Sequence, residues 1–209
     1  MVASDGEPSL SKMKTGKTIR HLVRFMLGLE PASTQTTEME RAALVKYAKA
    51  QHRLGEIGVY EGFTTTIIGQ AMAADGVLYA IDPFFGGRFG ISWGKWIARR
   101  ETRKIRSPRR ILFIEKLSYD ALSFIEGDLD FLFIDGDHSV EGISRDWADW
   151  SKKISQGGII ALHDTRVPEH NPAIANLGSY QYFESHIKRD KRFELLEQVD
   201  SLSVLRRRA

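Results

Sequence analysis

Apolar residues at Ile19, Leu22, Val23, Met26 and Leu29 recur at the i, i+3, i+4, i+7 spacing of one helix face, with Lys17, Arg20 and Arg24 on the other. Such a helix docks on its own domain or on a partner subunit, and a homodimer through it is the expectation. Pro31 to Gln35 breaks the pattern, and Thr37-x-x-Glu40 then has the form of a capping box opening a helix to about Ala50. Beyond that point strands and helices alternate. Gly55–Tyr60 reads as strand, Phe63–Ala73 as helix, Val77–Ile81 and Ile111–Ile114 as strands, Tyr119–Ile125 as a short helix and Phe131–Ile134 as strand. Val140, Ile143, Trp147, Trp150 and Ile154 predict a helix from Ser139 that Gly157-Gly158 ends, with Ile159–Leu162 as the next strand. The runs at 111–114 and 131–134 do not alternate with polar residues, which predicts strands buried on both faces, as in a helix-covered parallel sheet. Phe193–Val199 and Leu202–Arg207, separated by Asp200-Ser201, read as a closing hairpin. The predicted fold class is therefore α/β, doubly wound.

Composition narrows the chemistry. The 209 residues suit one domain, and the absence of cysteine excludes disulfide scaffolds, thiolate zinc sites and cysteine nucleophiles. Hydrophobic residues make up 42% and charged residues 27%, with a mean hydropathy of -0.28, and no apolar run approaches the ~20 residues of a spanning helix. Residues 1–16 are polar and read as frayed, and the start lacks the apolar core of a signal peptide. Together with the missing cysteines, this makes a cytoplasmic location the expectation.

In an open parallel sheet, ligands bind beyond the carboxyl ends of the strands. Here the first strand runs into Gly58-Val59-Tyr60-Glu61-Gly62, the second into Asp82, the third into Lys116–Ser118, the fourth into Asp135 and the fifth into His163-Asp164. Any one such acid is ordinarily a cap or turn residue, but five polar strand ends in register point to a site. The first turn is Gly-x-x-x-Gly, without the glycine spacing that cradles a pyrophosphate. Asp82 lies twenty residues past Gly62, where an acid commonly accepts hydrogen bonds from ribose hydroxyls. A nucleoside-bearing cofactor without a pyrophosphate satisfies both facts.

Four segments carry a resemblance: Glu56-Ile57-Gly58-Val59-Tyr60-Glu61-Gly62-Phe63-Thr64, Tyr79-Ala80-Ile81-Asp82, Phe133-Ile134-Asp135-Gly136-Asp137-His138 and Gly157-Gly158-Ile159-Ile160-Ala161-Leu162-His163-Asp164-Thr165. In order and spacing the chain resembles the class I S-adenosylmethionine-dependent methyltransferases, and within them the small metal-dependent O-methyltransferases of the catechol type and sugar O-methyltransferases. The resemblance runs from about Thr36 to Arg208. It implies a Rossmann-like, seven-stranded, mostly parallel sheet with an antiparallel C-terminal hairpin, and it divides the chain into an N-terminal extension with its helix (1–35) and a methyltransferase domain (36–209). It places Glu56, Gly58, Tyr60, Gly62 and Thr64 at the methionine end of S-adenosylmethionine, Asp82 at the ribose, and Ser118 and Tyr119 beside the adenine. It makes Asp135 a metal carboxylate, puts His163-Asp164 where the catechol enzymes have an Asp-Asn metal pair, and puts His138 in the place of their catalytic lysine. The implied metal is Mg²⁺ or Mn²⁺, held by Asp135, His163 and Asp164. A divalent cation would favour the alkoxide of a hydroxyl acceptor, with Asp135 and His138 as the catalytic pair. An unperturbed imidazole has a pKa of about 6.5, which suits a histidine at position 138 to the role of a base. His163 is a nitrogen ligand, a second base, or a strand-end histidine holding a loop.

Residues 83–110 form a long insertion between the second and third strands. Phe84, Phe85, Phe89, Trp93 and Trp96 alternate there with glycines, the composition of a loop that orders over a ligand or of a satellite apolar cluster. Aromatic faces suit a sugar, so the expected acceptor is a small molecule or an oligosaccharide hydroxyl. The following stretch, 95–110, carries eight basic residues, namely Lys95, Arg99, Arg100, Arg103, Lys104, Arg106, Arg109 and Arg110. Such a run is usually a solvated helix face, and it keeps an RNA methyltransferase as an alternative reading. The lack of any appended RNA-binding module disfavours nucleic acid. A metal-dependent hydrolase built on Asp135, Asp137, His138, His163 and Asp164 is the other alternative.

Overall fold

The computed structural model describes residues 19–86 and 90–209. The polar N-terminal stretch, Lys17, and Gly87 and Phe89 of the aromatic loop lie outside the described residues. In chain order the elements are α1 (Ile19–Met26), α2 (Glu38–Ala48), β1 (Arg53–Ile57), α3 (Phe63–Ala71), β2 (Val77–Ile81), α4 (Trp93–Glu101), β3 (Arg110–Ile114), α5 (Ser118–Ala121), β4 (Leu129–Ile134), α6 (Val140–Trp150), β5 (Ile154–Leu162), α7 (Gly178–Ser185), β6 (Phe193–Val199) and β7 (Leu202–Arg207).

The seven strands form one sheet in the order β3-β2-β1-β4-β5-β7-β6. β1 pairs in parallel with β2 and β4, β2 with β3, and β4 with β5, while β7 runs antiparallel to both β5 and β6. The strand order reverses between β1 and β4, and the ligand crevice of a doubly wound sheet opens at that switch point. Core side chains fill both faces. Ile57, Ile81, Leu132, Ile134 and Leu162 face Trp147, Trp150 and Phe183 on one side. Leu54, Leu78, Phe131, Phe133 and Ala161 face Leu44, Ile68 and Met72 on the other. α2 begins with the expected capping box: Thr37 Oγ1 accepts from Glu40 N at 3.2 Å, and Glu40 Oε2 accepts from Thr37 N at 2.7 Å.

Three expectations change. β3 is an edge strand, so Leu112 is 42% exposed instead of buried on both faces. α6 stops at Trp150, and Ile154 opens β5, which contains Gly157-Gly158 as an irregularity in its pairing with β4. α1 forms where predicted, but it docks through Phe25 and Leu22 on Ile97. Ile19, Val23, Met26 and Leu29, most of the stripe expected to be covered, remain exposed.

Phe131 is fully buried at the centre of the sheet. Replacing it with alanine should lower stability by about 3–5 kcal/mol, read as the shift of a urea unfolding curve, because the removed ring leaves a cavity that a β-sheet cannot collapse into.

Candidate active site

β1 delivers Gly58 to a position where only glycine fits. Its φ is +91°, and a Cβ there would run into the carbonyl oxygen of Asp135 at the end of β4. Gly62 (φ +77°) makes a similar approach to Ala98 of α4 and starts α3. Asp82 closes the same bend: its Oδ2 accepts from Val59 N at 2.9 Å and Tyr60 N at 3.0 Å, and its Oδ1 accepts from Phe84 N at 2.7 Å. The acid expected to hold a ribose is thus also the clasp between β1 and β2, and one lone pair of Oδ1 remains for a ligand hydroxyl.

Glu56, one residue before the end of β1, is fully buried. Thr64 Oγ1 donates to its Oε1 at 2.5 Å, while Oε2 has no hydrogen-bond partner among the described residues. Burial pushes its carboxyl up to about 8, a shift reinforced by the nearby Asp135 and Asp82 and opposed by Thr64 and Thr65. An unpartnered buried carboxyl beside a glycine bend suits the ammonium of an amino-acid ligand, so these residues fit the methionine end of S-adenosylmethionine. Ser118 and Tyr119 are both engaged by α6. Ser118 Oγ donates to Asp146 Oδ1, and the Arg145 guanidinium lies 3.6 Å from the centroid of the Tyr119 ring. Burial raises the Asp146 carboxyl to about 6.

The second cluster lies at the ends of β4 and β5, which are neighbours in the sheet as expected. His138 Nδ1 is 3.4 Å from Asp164 Oδ2 and its Nε2 is 3.8 Å from Asp135 Oδ1, with a third of the side chain exposed. His163 is buried behind it. Its Nε2 meets Glu40 Oε2 at 3.3 Å, and its Nδ1 lies 3.1 Å from Asp135 Oδ1 and 3.5 Å from Asp164 Oδ1, out of line for a regular hydrogen bond. Burial alone would push the His163 pKa down, but the charges and contacts of Asp135, Glu40 and Asp164 outweigh it and hold the pKa well above the ordinary imidazole value. Burial likewise opposes ionisation of Asp135 and Glu40. Contacts with His163 prevail at both, lowering Asp135 and, with Ser201 and Thr37, bringing Glu40 to about 2.

Asp135, His163 and Asp164 are the residues that the resemblance implies for a metal. They do converge, yet among the described residues no group of three or more His, Asp or Glu side chains is placed to hold an ion. His163 is hydrogen-bonded through Nε2 to Glu40, and the Nδ1 that faces the two carboxylates has no hydrogen-bond partner among the described residues. The role of Glu40 was not legible in the chain, since 123 residues separate it from His163 and the capping box already accounted for it. The contacts of two further residues, Ser179 and Glu61, escaped the sequence reading. Ser179 N donates to His138 O at 3.1 Å and Ser179 Oγ to Asp164 O at 2.9 Å, so the first turn of α7 pins the cluster. Glu61 Oε2 accepts from Ser33 N at 2.6 Å and lies 3.1 Å from His21 Nε2, which ties α1 to the glycine bend.

In the insertion, Phe84 packs with Val59, Ala80 and Ala98 as a satellite cluster, whereas Phe85 and Trp96 are exposed. The basic run is partly neutralised. Lys95 and Arg99 pair with Glu115, Lys104 with Glu101, and Arg109 donates to Met72 O.

A sheet of this order, with a glycine bend after β1 and acids at the ends of β2, β4 and β5, is the fold of class I methyltransferases. A family model described as a methyltransferase domain matches residues 56–165, just over half of the chain, and the chain belongs to that family. Solved structures agree on the fold. The O-methyltransferase from Bacillus cereus in complex with SAH is 16% identical, covers 96% of this chain and 94% of its own, and superposes with a TM-score of 0.63. Cofactor-bound Rv0187 from MTB is 15% identical over 96% of this chain and 93% of its own, with a TM-score of 0.65. The O-methyltransferase TomG from Streptomyces achromogenes, involved in tomaymycin synthesis and in complex with SAM, is 14% identical over 89% of this chain and 86% of its own, at 0.60. Among curated proteins, the chain is 27% identical over 184 residues to the uncharacterized protein y4gI of Sinorhizobium fredii, and that match takes in 82% of this chain and 19% of that protein. The chain therefore spans about a fifth of the length of that relative. Among the described residues no helix is long and apolar enough to cross a membrane.

Glu56 links the site to pH. With a folded-state value of about 8 against an ordinary 4.5, the folded protein holds a proton that the unfolded chain has released, so stability falls as pH rises from about 4.5 to 8 and is level above. Glu56→Gln should remove that slope. Urea midpoints at pH 5, 6.5 and 8 would show the wild type losing of order 4 kcal/mol more than the variant, and equal losses would refute the shift.

Proposed function

We propose that this domain transfers a methyl group from S-adenosylmethionine to a hydroxyl of a sugar, an oligosaccharide or a related natural product. The observation that carries the reading is His138, partly exposed and flanked by two carboxylates, at the switch point of the sheet where β1 turns through Gly58 against Asp135. When bound, the sulfonium cofactor supplies an activated methyl group. Glu56, with Thr64 donating to it, binds the amino-acid end, and the bend of Gly58, Tyr60 and Gly62 lets the backbone approach closely. Asp82 accepts from the ribose through its remaining lone pair, and Ser118 and Tyr119, fixed by α6, border the adenine.

The protein then brings the acceptor oxygen into line, a positional contribution. The hydroxyl proton passes to a ring nitrogen of His138 as the oxygen attacks, and Asp135 and Asp164 stabilise the imidazolium that forms. The exposed Phe85, three residues past Asp82, favours a sugar over a catechol, because an aromatic face stacks on the C–H face of a pyranose.

His138→Ala should lower kcat by about 10²–10⁴ and leave binding of S-adenosylhomocysteine intact by calorimetry; an unchanged kcat would assign the proton to another base. With labelled methyl donor, a panel of glycosides and catechols should take up label on the glycosides, and uptake by catechols alone would contradict the acceptor class.

A further inference from the structure

α1 has a second apolar face that its docking on the domain does not use. Leu22 and Phe25 pack with Ile97, and His21 meets Glu30 Oε2 at 2.7 Å and Glu61 Oε2 at 3.1 Å, so the helix is fixed to the body of the protein. Ile19, Val23, Met26 and Leu27 lie on the other side and are between 44% and 68% exposed. Leu27 N donates to Val23 O at 3.0 Å, which carries the last turn as far as Leu27. At 3.6 residues per turn the four side chains share an arc of about 100°, one continuous strip. Cations border it on both sides. Arg20 adjoins it on α1 itself, and across a groove from Met26 and Leu29 stand Arg100 of α4 and Arg103 in the turn that follows. Unlike Lys95, Arg99 and Lys104, these three arginines have no acid partner among the described residues. Trp96, one turn before Arg100, is exposed.

We propose that this face of α1, with the adjoining end of α4, docks on an anionic lipid bilayer, so that the domain lies on a membrane surface without spanning it. The aliphatic strip enters the boundary between headgroups and acyl chains while the arginines meet headgroup phosphates, as in an interfacial amphipathic helix. Trp96 supplies the indole ring favoured at that depth. Aliphatic side chains offer a nucleic-acid base no stacking surface, which sets RNA aside. A second copy docked through the same face would set these arginines against their own equivalents, so charge complementarity selects an anionic occupant. The strip carries no hydrogen-bonding side chain to fix a protein partner in register, and a bilayer requires none. The inference stands on α1 and α4 and does not rest on the methyl-transfer reading.

The test is sedimentation of the full chain with vesicles of phosphatidylcholine alone or with about one third phosphatidylglycerol, in about 0.1 M and about 0.5 M NaCl. The chain should pellet with the phosphatidylglycerol vesicles at the lower salt and stay in solution with phosphatidylcholine. Joint replacement Val23→Ser and Leu27→Ser, which leaves the charge unchanged, should weaken binding by about 10-fold or more. Arg100→Gln with Arg103→Gln should weaken it similarly and remove most of its salt sensitivity. All four positions are exposed, so melting temperatures should match the wild type. A wild type that ignores phosphatidylglycerol vesicles would overturn the proposal. Undiminished binding by the serine pair would reduce the effect to general attraction of a basic chain, and would overturn it too. A wild-type dimer, seen by light scattering, that the serine pair converts to monomer would give the strip to a second copy, with the same consequence.

Discussion

Everything at the cleft depends on placing several carboxyl groups where the parallel strands end and keeping them from repelling one another. Glu56, Asp135, Asp164 and Glu40 lie around the exits of β1, β4 and β5, and each has its charge managed differently. Glu56 keeps its proton because it is sealed from water and lies near the Asp135 and Asp82 carboxylates. Asp135 and Glu40 lose theirs because His163 lies against both. Asp164 lies against both imidazoles. Like charges crowded at this range are tolerated only when compensated locally, so the imidazoles are as much a part of the fold as of the chemistry.

The backbone permits this crowding. Gly58 lets β1 turn against the Asp135 carbonyl, and the three backbone N–H groups that converge on Asp82 lock that turn to the end of β2. Tyr60 and Asp164 both adopt positive φ (+54° and +53°), a conformation that L-residues rarely take and that clusters at functional sites. α1 and the first turn of α7 then close over the strand ends, through contacts with Glu61 and from Ser179 respectively. The cleft is therefore built by local backbone geometry and held by contacts from distant segments.

The sequence shows the first of these more readily than the second. β2 and the closing hairpin fall at the predicted residues, and the α2 cap has the predicted partners, because strand runs, a two-residue turn and a capping box are local patterns. The acids at the strand ends were legible for the same reason. The link from Glu40 to His163 was not, since one side chain serves as cap and as tether and periodicity reports only the former. Exposure of Leu112 follows from β3 lying at the sheet edge, a fact of strand order that a single apolar run does not encode. On α1, Phe25 and Leu22 form the docking face, and the apolar residues outside it satisfy the helical spacing equally well.

The most direct measurement is a crystal structure of the full chain grown with S-adenosylhomocysteine. The account predicts the ligand's amino group on Glu56, its ribose on Asp82 and its base beside Ser118 and Tyr119, with its sulfur directed toward His138. A cleft left empty at saturating ligand, or a ligand bound with its ribose away from Asp82, would contradict it.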